Sequence, residues 1–170
     1  MARRRNSGGR IRFEDGTVGW EDYAASPFFA HPLVQGEALQ RARERRDHLL
    51  ANEAWYTSAH VLDYLCGTPG ARPTESDLAQ LRTERHLIGA QFRGEYLYPA
   101  FQFQSRGKLH PAIVELLALL PVTDANWNVM FWLYQPTGKL GGQSPAGAFA
   151  SDAQAVVAAA RADFLRDDSP

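Results

Sequence analysis

The chain has 170 residues, 45% of them hydrophobic, a formal net charge of −1 and one cysteine, Cys66. That length suits one domain or two small ones sharing an interface, and a single cysteine excludes an internal disulfide framework. No apolar run follows Met1-Ala2-Arg3-Arg4-Arg5-Asn6 and none reaches spanning length, so the expectation is a cytoplasmic protein with no signal peptide and no membrane partner.

Residues 1–36 hold Arg3, Arg4, Arg5, Arg10 and Arg12, several glycines, and Trp20, Tyr23, Phe28 and Phe29 without a steady period. They read as a flexible N-terminal arm whose basic start either tracks phosphates or is simply solvated. From Glu37 to Ala51 the spacing of Leu39, Ala42, Arg46, Leu49 and Leu50 predicts an amphipathic helix, with Arg41, Arg43, Glu44 and Arg45 outside.

The next elements predict a helix-turn-helix with a small β-hairpin wing, a DNA-binding region spanning 37–108. Thr57 or Ser58 caps a helix carrying Val61, Leu62 and Leu65 on one face, with Gly67 at its C-terminus. After Thr68 to Pro73, Thr74 with Asp77 makes a capping-box start to a second helix ending near His86. There Leu78 and Leu81 face inward, and a step of about 100° per residue lines up Ser76, Gln80 and Thr83 on the opposite side. Hydroxyls and amides hydrogen-bond base edges in the major groove, while Arg72, Arg82 and His86 are available for phosphates. Glu75, Asp77 and Glu84, in or beside this helix, repel phosphate, although acids near a helix N-terminus also oppose the dipole. Leu87 to Phe92, Arg93-Gly94 and Glu95 to Pro99 then predict a two-stranded hairpin turning at Gly94, with Arg93 a further DNA contact.

Residues 109–170 predict a helical bundle. His110-Pro111 opens a helix with Ile113, Leu116, Leu117 and Leu120 in a buried stripe, and Pro121 closes it. Thr123 or Asp124 caps an aromatic helix beginning at Trp127 and stopped by Pro136. Gly141-Gly142 supplies backbone that can take positive φ, and Ser144 followed by Pro145 is an N-cap with proline at the first helical position. Ser151-Asp152 starts a last helix bearing Val156, Val157, Ala160 and Phe164.

The order Trp132-Leu133, Pro136, Leu140-Gly141-Gly142-Gln143-Ser144-Pro145 and a trailing alanine- and valine-rich helix resembles the C-terminal toxin-binding domain of Xre/MbcA/ParS-type antitoxins, over about residues 126–165. The span from about Trp55 to Phe103 resembles the DNA-binding half often joined to it. The resemblance implies an antitoxin of a type II toxin-antitoxin system that neutralises a cognate toxin, often a RES-domain toxin consuming NAD, and represses its own operon through operator DNA. The toxin-binding residues it implies are Trp132, Leu133, Leu140, Gly141, Gly142, Ser144, Pro145 and Phe149. The alternative is a plain winged-helix transcriptional regulator whose C-terminal helices serve dimerisation. Either way a homodimer is expected, because helix-turn-helix proteins reach affinity by pairing two recognition helices.

Enzyme chemistry is not expected. Gly138-Lys139-Leu140-Gly141-Gly142-Gln143-Ser144 fails as a phosphate loop, having no preceding strand and no lysine directly before the serine. His60 and Cys66 fall about 240° apart on one helix, and Cys66 reads as a small buried side chain. His31, His48, His60, His86 and His110 are dispersed, so neither a metal nor a cofactor is expected.

Overall fold

The structure, a computed structural model, describes residues 32–66, 72–104, 107–122 and 126–165. It is mostly helical with one small antiparallel sheet. The elements are α1 (Pro32–Asn52), β1 (Trp55–Thr57), α2 (Ser58–Leu65), α3 (Glu75–Thr83), β2 (Ala90–Phe92), β3 (Glu95–Pro99), α4 (Ile113–Leu119), α5 (Trp127–Leu133), α6 (Pro145–Phe149) and α7 (Ala153–Phe164). Single 3-10 turns lie at Ala100–Gln102 and Gly138–Leu140. Helix α1 therefore begins at Pro32, ahead of the expected Glu37, with proline in the first turn where its missing N–H costs nothing. The rest of the expected arm, 1–31, lies outside the described residues.

The wing is three-stranded, in the order β1-β3-β2, where a two-stranded hairpin was expected. Strand β1 pairs Tyr56 with Tyr98, and β2 pairs Gln91 with Tyr96. Arg93 at φ 51° and Gly94 at φ 83° form the hairpin turn, the two positive φ values that a type I′ connection requires. Leu87 to Gly89, expected in the strand, leads into it instead. There the buried Gln102 amide stands in for a strand partner, accepting from Ile88 N at 3.0 Å and donating to Ile88 O at 2.8 Å.

Two cores result. The smaller joins Val61 of α2, Leu78 of α3, Leu87 and Tyr98 of β3, all essentially fully buried. The larger takes the stripe Ile113, Leu116, Leu117 and Leu120, most of α5, and Val156, Val157 and Ala160 of α7. It also takes Ala42 and Leu49 of α1 with Ile88 and Ala90 beside the wing, so α1 packs on the C-terminal half and 108 is not a packing boundary. Arg45 donates to Phe131 O at 3.1 Å, and Arg46 lays its buried guanidinium 4.9 Å from the Phe92 ring centroid. From the other side Asn126 donates to Gly89 O at 2.7 Å and the Trp127 indole to Gln91 O at 2.8 Å. The two halves are bolted together at β2.

Local chemistry ends each element. Thr57 caps α2 by accepting from His60 N, Ser144 caps α6 by accepting from Gly147 N with Pro145 next, and Asp152 caps α7 by accepting from Ala155 N. Helix α3 stops at Thr83, short of His86, in a Schellman motif: Arg85, at φ 58°, donates to Arg82 O, and His86 N donates to Leu81 O at 2.8 Å. Cys66, expected inside, is exposed, because it sits at the C-cap of α2 beyond the face that Val61 buries. Helix α5 starts from Asn126 at φ 55°; the expected caps Thr123 and Asp124 lie outside the described residues. Among the described residues no helix is long and apolar enough to cross a membrane.

Candidate nucleic-acid interface

The capping box at the start of α3 holds its first turn. Thr74 N donates to an Asp77 carboxylate oxygen at 2.7 Å, and Asp77 N reaches Thr74 Oγ1 at 3.4 Å. The hydrogen bonds from the Thr74 hydroxyl and backbone hold the Asp77 carboxyl below the usual aspartate range. With Leu78 buried beneath, Ser76, Gln80 and Thr83 are exposed along the outer side, as the helical spacing predicts. Part of their hydrogen-bonding capacity is already used: Gln80 donates to Glu84 at 2.8 Å and Thr83 to Ala79 O at 2.9 Å. What remains outward is one amide N–H, the amide oxygen, the Ser76 hydroxyl and the Thr83 hydroxyl oxygen, groups that read base edges.

The cations around this face differ in freedom. Arg72 ahead of α3 and Arg93 at the hairpin tip are exposed, the latter 5.1 Å from the Phe92 ring. Arg82 is half-buried; its guanidinium stacks 3.8 Å from the Tyr96 ring centroid and donates to the Tyr98 hydroxyl. Burial pushes the Tyr98 phenol above its ordinary range, against hydrogen bonds with Ser58 and Arg82 and the nearby Arg82 charge. Arg82 is therefore a fixed guanidinium whose open edge alone could meet a phosphate. His86 is half-buried with Nδ1 3.7 Å from Glu84. The sequence reading missed Arg85, an exposed cation beside Thr83, because nothing local marks the position as the left-handed residue of a helix end.

The residues expected to bind a toxin divide sharply. Leu133 and Phe149 are fully buried and Pro145 is buried, so in this chain they are core rather than contact surface. Trp132 and Leu140 are half-buried, Ser144 is half-buried at its cap, and Gly141 at φ 63° and Gly142 at φ 86° are exposed. Thr137 closes this loop, its N–H donating to Gln143 O at 3.1 Å and its carbonyl accepting from Gly142 N at 3.0 Å. Two residues missed in the sequence pin the loop to α7. Lys139 pairs with Asp163, whose other oxygen accepts from the Trp132 indole at 2.9 Å, and these two donors lower the Asp163 carboxyl below its ordinary range. Among the described residues no group of three or more His, Cys, Asp or Glu could hold a metal ion.

No family model matches the chain, and no curated protein matches it. Among solved structures it is similar to Rv2175c, determined by NMR, with 26% sequence identity and a TM-score of 0.54 over 67% of this chain and 83% of that one.

Proposed function

We propose that the protein is a sequence-specific DNA-binding regulator that works as a homodimer, with α3 in the major groove and the β2–β3 hairpin against the adjacent backbone. The observation that carries this reading is the line of exposed Ser76, Gln80 and Thr83 on α3, together with Arg93 exposed at the turn of the β2–β3 hairpin. Polar side chains that reach base edges, on a helix pinned from beneath by Leu78 and from the side by Arg82, suit a reader of sequence. Pairing two copies of α3 roughly 34 Å apart would supply the affinity that a chain of net charge −1 does not. The test is the triple substitution Ser76→Ala, Gln80→Ala, Thr83→Ala. It is expected to erase preference for the target sequence while leaving the slope of affinity against salt nearly unchanged, whereas Arg72→Ala lowers that slope by about one phosphate contact. Equal loss on specific and random duplexes would sink the assignment of α3.

A second reading, that the C-terminal half also captures a cognate toxin, is favoured by the closed loop of residues 137–143. It offers exposed Gly141 and Gly142 beside half-buried Leu140 and Trp132, a rigid and partly apolar knob. In this form Leu133 and Phe149 belong to the core against which Leu140 and Trp132 pack. Because residues 126–165 also form the packing partner of α1 and the wing, deletion would confuse loss of fold with loss of binding. Leu140→Glu, checked for an intact fold, is the cleaner probe. The toxin reading expects it to stop co-purification with the product of the neighbouring reading frame while DNA binding persists; undiminished capture would remove that surface from consideration.

A further inference from the structure

A cleft of about 400 Å³ opens where the end of α3, strand β3 and the start of α5 converge; Arg82, Thr83, Arg85, Tyr96 and Asn126 line its rim and Leu87 part of its wall. Two arginines are among its lining residues, and no Asp or Glu is among the described residues that line it. Arg82 is held by the Tyr96 ring and the Tyr98 hydroxyl, so its orientation is set before any ligand arrives. Arg85 pairs with no carboxylate among the described residues, leaving its planar fork of donors open. The end of α3 does not oppose an anion as a bare helix C-terminus would. The carbonyls of Gln80, Leu81 and Arg82 already accept from the backbone of Glu84, His86, Leu87 and Arg85. Apolar walls at Ala79, Leu87 and Val122 focus the positive potential of the two arginines into the concavity.

The geometry points to a phosphate-binding site in this cleft, with the phosphate held bidentately by Arg85 and flanked by the prealigned Arg82 and the Tyr96 phenol. A phosphate monoester carries roughly −1.5 to −2 charges and three acceptor oxygens, which matches two guanidinium groups better than a single carboxylate does. A small phosphorylated ligand offers that monoester in full, while a nucleic-acid backbone offers a phosphodiester with one charge and two free oxygens that still suit a bidentate guanidinium; the site stands whether or not α3 reads DNA.

The probe is inorganic phosphate, added to the full chain at ionic strength held constant with chloride and followed through the arginine Nε–H signals by NMR. Saturable shifts confined to Arg85 and Arg82 are expected. Arg85→Gly should keep the fold, because φ at this position is 58° and glycine is favoured there, and should weaken phosphate binding at least tenfold. Arg85→Lys, keeping charge without the fork, should fall between the two. Linear shifts spread equally over exposed arginines such as Arg41 and Arg161, or unchanged affinity in a folded Arg85→Gly protein, would overturn the proposal. Addition of duplex DNA to the loaded protein then identifies the source. Displacement of phosphate supports a backbone phosphate, simultaneous binding supports a free phosphorylated ligand, and both outcomes uphold the site.

Discussion

The outer face of α3 and the hairpin joining α5 to α6 are both places where the residue pattern suggests contact with a partner, and the fold treats them in opposite ways. On α3 the candidate residues Ser76, Gln80 and Thr83 are polar and stay outside, because only Leu78 and, in part, Leu81 and Arg82 are taken inward. In the hairpin the candidates are largely apolar. Helix α5 buries Trp127, Val129, Met130, Phe131 and Leu133, so nearly its whole circumference is core, and Phe149 of α6 is buried in the same core. An apolar side chain nominated for a binding surface competes with the core for the same group, and here the core takes Leu133 and Phe149. Polar candidates at helical spacing face no such competition, since burying them without partners would cost free energy.

The largest expected effects test that division directly. Leu133→Ala and Phe149→Ala, at fully buried positions, should each destabilise the protein by about 3–5 kcal/mol in chemical denaturation, whereas Ser76→Ala or Gln80→Ala should stay within about 0.5 kcal/mol. A Phe149→Ala protein as stable as the parent would return Phe149 to the surface. The junction of the two regions comes next. Gln102→Ala strips the buried Ile88 N–H and C=O of their partner and is expected to cost about 1–3 kcal/mol, visible as a lower denaturation midpoint.

The elements legible from sequence are those whose signal is local. Thr74 with Asp77, Ser144 with Pro145 and the Arg93-Gly94 turn each combine a side-chain acceptor or permissive backbone with its partner within a few residues, and each forms. The stripe Ile113, Leu116, Leu117 and Leu120 is equally explicit. What was hidden depends on groups far apart in the chain. Strand β1 is three residues long, too short for an alternation, and exists because Tyr56 pairs with Tyr98. Arg45 looked like an outer residue of α1, yet it bonds to α5, and the assignment of α1 to the C-terminal core follows from that distant packing. At the candidate interface, the exposure of α3 was readable, but the Arg82 stack on Tyr96 and the cleft beside Arg85 arise from a sheet register that no local motif announces.

Within the hairpin, the backbone offers a smaller contrast between residues that shape the loop and residues that merely sit on it. Gly142→Val forces a β-branched residue to φ 86° in open space, so strain alone acts, and a loss of roughly 1–2 kcal/mol is expected. Ser144→Ala removes the acceptor for Gly147 N and should cost about 1 kcal/mol. If the knob also binds a partner, Gly142→Val should weaken capture more than its stability loss explains. Equal capture by folded Gly142→Val protein would make the loop a connection only.

The smallest effect concerns the two carboxylates held below the ordinary aspartate value of 3.8, Asp77 at the start of α3 and Asp163 beneath the hairpin. The Asp77 shift is local, coming from the Thr74 side chain and backbone, while that of Asp163 depends on Lys139 first and Trp132 second, 24 and 31 residues away. A carboxyl whose folded pKa is depressed contributes stability above its unfolded pKa and loses that contribution as pH falls through the folded value. The stability difference between the parent and Asp163→Asn should therefore be full at neutral pH, begin to shrink near pH 4 and vanish at more acidic pH. Both groups are exposed enough for solvent to keep the effect small. Carboxyl titrations followed by NMR separate the two origins: Lys139→Ala should move Asp163 upward toward 3.8 and leave Asp77 in place, and Thr74→Ala should do the reverse. An Asp163 midpoint indifferent to Lys139→Ala would mean that the hairpin is not pinned to α7 through this pair, and the rigidity on which the second functional reading relies would have to come from the Thr137–Gln143 closure alone.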